Sequence, residues 1–299
     1  MRLTKLSEVL EIARNRESRR LVVAAAEELH VLQAVLLARA ENIIEPILVG
    51  DTLKILDICA ENQLDLENIS LVEEKDPEKA CILAIDLIRT GEAEILMKGL
   101  VSTAPLLKAV LDRERGLRKS KVLSHAALFE IPSYHKLLAI TDAAINVDPE
   151  IPEKISIIEN AAEIFHRLGI PEPKVAILGP IEKMNIKIRS TVDAEEIKQM
   201  HASGRIKGCL IDGPLALDVA VSREAATHKG IISKVAGDAD ILLTPDLDSG
   251  NILYKSLIFL GRSTSAAVVM GAQVPIVLTS RADSERSKLM SIALAAALD

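Results

Sequence analysis

A polar turn near the end of the chain carries three residues that could do chemistry: Ser280, Arg281 and Asp283. It follows the apolar run Val274–Leu278, a predicted strand, and a helix is expected to begin near Ser284. Such a junction presents free backbone N–H groups and the positive end of a helix dipole, which suits an anion. The serine can donate a hydroxyl proton, and the arginine can bind two phosphate oxygens at once. The same residues also fit a plain helix cap beside a solvated arginine.

A second junction of this kind follows the predicted strand at 94–97. Lys98 adds positive charge, and Gly99 would let the backbone approach a ligand closely. Ser102 and Thr103 could contact a phosphate or cap the following helix. The sequence leaves open whether this is a phosphate loop or an ordinary connection between strand and helix.

Strands and helices alternate along most of the chain, which is typical of a parallel sheet covered by helices on both faces. The predicted strands are 20–25, 46–50, 69–73, 94–97, 174–179, 208–213, 240–243 and 266–271. The predicted helices are 7–16, 27–41, 52–62, 76–90, 105–113, 152–168, 192–201 and 215–228. Two apolar stretches, 121–131 and 136–146, are joined by a short polar segment and predict a pair of adjacent strands.

Composition limits the function classes. The chain has 299 residues and 49% hydrophobic residues, enough for two packed α/β units. Aromatic residues make up 2% and the net charge is −7, which argues against a nucleic-acid or membrane-surface partner. No signal-peptide core or membrane-length apolar run is found, so we expect a cytoplasmic protein. The histidines show no metal-ligand spacing, and Cys59, Cys81 and Cys209 lie in or beside apolar runs as expected of core thiols.

One dense basic run, 113–121, contains five cations and one glutamate. Runs of this kind are usually solvated loops. Because it follows the second junction in sequence, it is also a candidate for binding a ligand phosphate.

Several of these segments match one family together and in its order. The matching segments are Leu96–Thr103, Leu123–His125, Ile140–Asn146, Ser190–Ala194, Gly237–Leu247, Gly250–Lys255 and Val277–Ser284. On these motifs the chain resembles the phosphate acetyltransferase/phosphate butyryltransferase family, and its butyryl members most closely. The resemblance spans nearly the entire chain.

The resemblance implies an α/β fold of two domains with mostly parallel sheets flanked by helices, similar to the isocitrate and isopropylmalate dehydrogenases. It implies a first domain of residues 1–128 plus 266–299, a second of 129–265, and an active-site cleft between them. It also suggests a homodimer or a larger homo-oligomer.

The activity implied is reversible acyl transfer, acyl-CoA + phosphate ⇌ acyl phosphate + CoA, with no cofactor beyond the substrate CoA. In this family the closing serine and arginine bind phosphate and stabilise the transition state, which carries over to Ser280 and Arg281. An aspartate serves as a proposed base in acetyl-type members, but Ser287 occupies that position here, leaving Asp283 and Glu285 as substitutes. The substrate-binding candidates are Lys98, Gly99, Ser102, Thr103, Ser124, Asp142, Asn146, Gly250, Asn251 and Lys255.

Other functions stay open at this point. The acyl group could be acetyl or a branched chain instead of butyryl, since one methylene changes discrimination by only about 1–3 kcal/mol. A pyridine-nucleotide dehydrogenase of related fold is disfavoured because no G-x-G-x-x-G follows a strand. A non-catalytic protein that binds CoA or phosphate would keep the phosphate-binding residues and need no base.

Overall fold

The computed structural model describes residues 2–279 and 283–298. The chain begins with α1 (Leu6–Arg14), β1 (Arg19–Ala24), α2 (Leu29–Ala40), β2 (Ile44–Gly50), α3 (Thr52–Glu61), β3 (Ser70–Glu73), α4 (Pro77–Arg89), β4 (Ile95–Lys98) and α5 (Thr103–Val110). It continues with β5 (Ser124–Glu130), β6 (Leu138–Thr141), α6 (Ile151–Arg167), β7 (Lys174–Leu178), α7 (Arg189–Ala202), β8 (Leu210–Leu215), α8 (Leu217–Val221), α9 (Arg223–His228), β9 (Ile241–Leu243) and α10 (Leu247–Phe259). It ends with β10 (Thr264–Met270), β11 (Ile276–Val277) and α11 (Glu285–Ala296).

The described residues group into two compact units. The first unit contains residues 7–120, 266–279 and 283–298, and the second contains residues 2–6 and 121–265. The boundary expected at residue 128 falls inside β5, which belongs to the second unit.

In the first unit the strand order is β3-β2-β1-β4-β11-β10. The first five strands run parallel, and β10 is antiparallel to β11. Leu21–Ala26, from β1 into the following loop, is fully buried, because a central parallel strand is covered on both faces. The carboxyl ends of β1, β2, β4 and β11 therefore lie at one edge of this sheet.

In the second unit the strand order is β5-β6-β9-β7-β8. Strands β6, β9, β7 and β8 are parallel, and β5 is antiparallel to β6. The predicted pairing of 121–131 with 136–146 is thus confirmed, as is the mostly parallel character of the sheet. Because β5 and β6 are antiparallel, the amino end of β5 lies beside the carboxyl end of β6. In a parallel pair these two ends would lie at opposite edges of the sheet.

Local sequence signals account for most helix starts. Asp51 accepts a hydrogen bond from the Lys54 N–H at the start of α3, and Asp76 caps α4 with Pro77 in its first turn. Such caps stabilise a helix by about 1 kcal/mol. Ser284 caps α11, at the position where a helix was expected to begin.

Two predicted elements differ from the structure. The predicted helix 215–228 is two short helices, because Ser222 adopts an extended conformation and its side chain caps α9. The predicted strand Val274–Leu278 is reduced to Ile276–Val277. Among the described residues, no helix combines the length and apolar character needed to cross a bilayer.

Candidate active site

The loop after β4 packs against the end of β1. Lys98 is buried, and its Nζ donates to the carbonyls of Gly99 at 3.1 Å and Val101 at 3.0 Å. The N–H of Gly99 donates to the Ala24 carbonyl at 2.9 Å, and the N–H of Leu100 donates to the Ala25 carbonyl at 2.5 Å. The loop is therefore a rigid extension of the sheet edge, with a lysine ammonium held inside it.

The packing of this loop against β1 requires a glycine at position 99. A Cβ added at Gly99 would lie 2.0 Å from the carbonyl oxygen of Ala25 and 2.7 Å from its carbonyl carbon. The glycine is thus needed for the close contact with neighbouring backbone, and its predicted role in letting a ligand approach stays a prediction.

The start of α5 keeps its first N–H groups available to an anion. Ser102 is the N-cap residue, but its side chain makes no capping hydrogen bond, and it is exposed; Thr103 is half-buried. The backbone N–H groups of Thr103 and Ala104 have no partner within the helix, whereas Pro105 has no N–H, so the first two residues of α5 form a candidate phosphate site.

The turn after β11 holds the predicted catalytic residues. Ser280 and Arg281 lie outside the described residues, so their predicted roles stay predictions. Asp283 is half-buried, and its carbonyl accepts a hydrogen bond from the Lys288 Nζ at 2.7 Å. The cap of α11 is Ser284, whose Oγ accepts from the Ser287 N–H at 3.1 Å.

Ser287, at the position of the family's aspartate, is buried inside the first turn of α11. Its hydroxyl accepts a hydrogen bond from the Ser284 hydroxyl at 3.1 Å. A serine hydroxyl committed to the helix cap does not replace a carboxylate base.

Lys288 is a residue that the sequence reasoning missed. It is 1% exposed, in a helix buried along its length from Ser287 to Ala296. The sequence did contain a signal for this. Leu289–Leu298 has no charged residue, which indicates a buried helix, and the lysine at its start is then buried with it. Through the Asp283 carbonyl, Lys288 holds the end of the predicted catalytic turn.

In the second unit, Asp142 organises the loop after β6. One carboxylate oxygen, Oδ1, accepts from the N–H groups of Ala144 at 2.8 Å and Ile145 at 3.0 Å. The other, Oδ2, accepts from the His125 N–H at 3.2 Å and the Asn146 Nδ2 at 2.6 Å. Asp142 is 2% exposed. Four donors occupy a carboxylate that was predicted to bind substrate, so the geometry favours a role in positioning the loop.

Two other predicted site residues of this unit belong to the same framework. Asn146 also donates to the Leu123 carbonyl at 2.8 Å, which ties the β6 loop to the start of β5. The Ser124 hydroxyl accepts from the Asn160 Nδ2 at 2.9 Å and is fully buried. Asn160, on α6, is a second residue that the sequence reasoning missed.

The start of α10 contacts the Asp142 loop through two predicted residues. A Cβ at Gly250 would lie 2.2 Å from the Asp142 carbonyl oxygen, so only glycine fits there without a shift. Asn251 donates to the Ala143 carbonyl at 3.1 Å. Lys255 lies further along the helix and is exposed. The structure thus gathers Ser124, Asp142, Asn146, Gly250 and Asn251 into one cluster. Its side chains mainly hydrogen-bond the backbone of neighbouring residues.

The acidic motif at 237–240 is structural. Asp238 pairs with Lys174 at 2.5 Å, and Asp240 pairs with Lys136 at 2.5 Å. Burial opposes the ionised form of Asp238, but the ammonium groups of Lys174 and Lys136 hold its pKa below the ordinary value. These pairs join the amino ends of β6, β7 and β9, away from the carboxyl edge.

The cysteines are unsuited to nucleophilic catalysis. All three are free and buried. Burial raises the pKa of Cys81 to about 11, with the Glu78 carboxylate adding to the shift, and burial raises the pKa of Cys209 to about 11. Because the thiolate is the reactive form, these thiols are inert near neutral pH.

The basic run lies at the opposite edge of the first sheet. Helix α5 starts at the carboxyl edge and returns over about 12 Å, at 1.5 Å for each of eight residues. Beyond it, the N–H groups of Lys119 and Ser120 donate to the Gly271 carbonyl, next to the end of β10. The run is therefore close to the β4 loop in sequence but not in space.

Comparison with known proteins agrees with these motifs. A family model described as phosphate acetyl/butaryl transferase matches residues 74–296. The chain belongs to this family. It is 43% identical over 294 residues to a phosphate butyryltransferase of Clostridium acetobutylicum, covering 98% of both chains. It is 42% identical to a phosphate acetyltransferase of Thermotoga maritima, covering 97% of this chain and 98% of that protein.

A solved structure supports the fold. The crystal structure of a branched-chain phosphotransacylase from Enterococcus faecalis V583 matches with a TM-score of 0.82 and 36% identity. The match covers 94% of this chain and 98% of that chain. These matches confirm the family resemblance that the sequence motifs of this chain indicated.

Proposed function

We propose that this chain is a phosphate acyltransferase that moves a short acyl group, with butyryl as the first candidate, between coenzyme A and inorganic phosphate. The observation that carries the proposal is the match to a phosphate butyryltransferase along 98% of both chains. The Lys98–Thr103 loop and the turn after β11 support it, since both leave parallel strands at one sheet edge, where ligands of such sheets generally bind.

The chemistry needs few protein groups. A phosphate oxygen attacks the thioester carbonyl carbon, a C–O bond forms, and the C–S bond breaks as CoA thiolate leaves and takes up a proton. Donors must neutralise the phosphate and stabilise the tetrahedral oxyanion. We assign phosphate binding to Arg281, a hydrogen bond to the oxyanion to Ser280, and further phosphate contacts to the first turn of α5.

The reaction requires no redox step and no group beyond CoA, so we propose that it runs without a further cofactor. Treatment with a metal chelator should leave the rate unchanged. Loss of activity that returns with a divalent metal would contradict this part of the proposal.

The first test is CoA-dependent formation of acyl phosphate. Purified protein is given phosphate and acetyl-, propionyl-, butyryl- or isobutyryl-CoA, and acyl phosphate and free thiol are both measured. We expect the highest kcat/KM with butyryl-CoA, with the isobutyryl substrate as the nearest rival. One methylene in an apolar pocket changes kcat/KM by roughly 10–200-fold, so the series resolves the preference.

Three outcomes would replace this proposal. A preference for acetyl-CoA would make the chain a phosphate acetyltransferase of the same family. Binding of CoA without turnover of any acyl-CoA would make it a non-catalytic binding protein. Free thiol without acyl phosphate would indicate thioester hydrolysis.

A further inference from the structure

Glu27 is a buried carboxylate whose position in the first unit calls for a function. It is 9% exposed and lies between β1 and α2, one residue before the N-cap residue Glu28. Its Oε2 is buried, and within residues 2–279 and 283–298 no group donates a hydrogen bond to it. Burial of an ionisable oxygen without a donor is unfavourable, and such groups are concentrated at functional sites.

The neighbouring backbone makes room for this carboxylate. A Cβ at Gly50, the last residue of β2, would lie 2.2 Å from Oε2 and 3.2 Å from the carboxyl carbon of Glu27. A larger residue at the end of β2 would displace the carboxylate. The glycine therefore allows it to occupy the sheet edge.

The residues just before Glu27 form hydrogen bonds with the candidate phosphate loop. The two residues that accept hydrogen bonds from this loop, Ala24 and Ala25, lie just before Glu27 in the chain. Since β1 and β4 are adjacent parallel strands, the carboxylate and the loop leave the sheet at the same edge.

The predicted catalytic turn leaves the sheet at this edge too. Strand β11 is parallel to β4, so Thr279 emerges beside the β4 loop. At the other side of the turn, α11 begins next to the start of α2, where the Glu285 Oε1 lies 4.0 Å from the His30 Nδ1. His30 is three residues after Glu27. Of the two described ends of the 280–282 segment, the one at α11 is thus close to the segment that carries Glu27, and the one at β11 lies beside the β4 loop.

We propose that Glu27 is the general base that accepts the thiol proton of CoA, an inference that rests on the proposed acyltransferase function. In the direction of acyl-CoA formation, the S–H proton moves to a Glu27 carboxylate oxygen and the thiolate sulfur attacks the acyl phosphate carbonyl. The C–S bond forms, the C–O bond to phosphate breaks, and the departing phosphate takes the electron pair. The proton on Glu27 then passes to that phosphate. In the reverse direction the protonated carboxyl returns the proton to the leaving thiolate.

The other candidates fit this role less well. A base needs an oxygen that is close to the reacting atoms and not already occupied by donors. Ser287 is committed to the helix cap, and Glu285 has 57% of its side chain exposed beside His30. Glu27 is buried at this sheet edge, and its Oε2 receives no hydrogen bond from any residue of the described ranges 2–279 and 283–298.

The decisive kinetic experiment compares Glu27→Gln with Glu28→Gln. The amide in Glu27→Gln keeps the shape of the side chain but cannot accept a proton, and we expect kcat to fall by roughly 10²–10⁴-fold. The KM for CoA should change far less. The deficit should shrink as the pH rises towards the pKa of the CoA thiol, because thiolate then forms without a base. Glu28→Gln removes one negative charge from the adjacent, partly exposed position and should behave like wild type.

A stability measurement separates catalysis from a structural role. If Oε2 has no partner, replacing the carboxylate with an amide removes an unfavourable buried charge, and Glu27→Gln should unfold at the same temperature as wild type or higher. A variant that is less stable, or that does not fold, would show that the carboxylate has a structural partner and would overturn the assignment.

The outcomes also distinguish this inference from the proposed function. If wild type forms no acyl phosphate, the proposed function fails and the base assignment fails with it. If wild type is active and Glu27→Gln matches it across the pH range, only the role of Glu27 is refuted. A pH-dependent loss in Asp283→Asn instead of Glu27→Gln would transfer the role to Asp283.

Discussion

The conversion of Asp142 to asparagine tests whether this residue positions a loop or binds substrate. The carboxylate accepts four hydrogen bonds, two on each oxygen, at 2.6–3.2 Å. An asparagine keeps one oxygen and places an NH₂ group where two donors point. Asn146 cannot compensate by turning its amide, because its Nδ2 also donates to the Leu123 carbonyl.

The magnitude follows from this count. Hydrogen bonds to a charged group contribute roughly 1.5–3 kcal/mol each, so the loss of two costs about 3 kcal/mol or more in the free energy of unfolding. At about 2–4 °C per kcal/mol for a unit of this size, the Tm of the affected transition should fall by roughly 6–12 °C. The expected loss of stability is large because Asp142 is buried, so the donors left without an acceptor cannot form hydrogen bonds with water instead.

The assay is thermal and denaturant unfolding of Asp142→Asn beside Asp148→Asn. Asp148 is in the same loop, but it is exposed and pairs with exposed Arg189, so its substitution should change stability little. If Asp142→Asn is as stable as the control while its KM for phosphate or CoA rises, the reasoning is refuted. Asp142 would then bind substrate, as the sequence motif suggested.

Three further predictions concern the first unit. Gly99→Ala would place a Cβ 2.0 Å from the Ala25 carbonyl oxygen, so we expect roughly 1–3 kcal/mol of destabilisation and a lower kcat/KM; unchanged stability and kinetics would mean that the loop moves freely. Arg281→Lys should lower kcat/KM for phosphate by about tenfold or more with the fold intact, because lysine cannot bind two oxygens in one plane; wild-type kinetics in a folded variant would remove this role. Arg118→Ala, at the opposite sheet edge, should change the KM values of CoA and dephospho-CoA equally; a selective rise for CoA would place its 3′-phosphate at the basic run.

Local signals were sufficient for most of the elements and for the family. Alternating apolar runs predicted the parallel strands, because a strand covered on both faces has to be apolar throughout, and Leu21–Ala26 shows this. Asp76 followed by Pro77 predicted the start of α4 from capping chemistry alone. The ordered motifs from Leu96 to Ser284 identified the phosphate acyltransferase family, which the full-length matches confirm.

The contacts of individual site residues depend on segments that are distant in the sequence. Gly99 was predicted to let a ligand approach, and the structure adds a second reason for a glycine, the Ala25 carbonyl 74 positions earlier in the chain. Asp142 was predicted to bind substrate, and the antiparallel pairing of β5 with β6 adds a contact that the sequence does not show, from the His125 N–H to its carboxylate.

Spatial order explains the remaining differences. The basic run follows the β4 loop in sequence, yet α5 carries it to the other edge of the sheet. No motif marks Glu27, and its proposed role comes from its buried carboxylate and from the strand order β2-β1-β4-β11, which places it at the same sheet edge as the β4 loop. Sequence by itself determined which residues form strands, helices and family motifs, because those depend on short-range pattern. Only the tertiary structure decided which polar groups already have partners, since hydrogen bonds are completed by segments that the chain brings together from far apart.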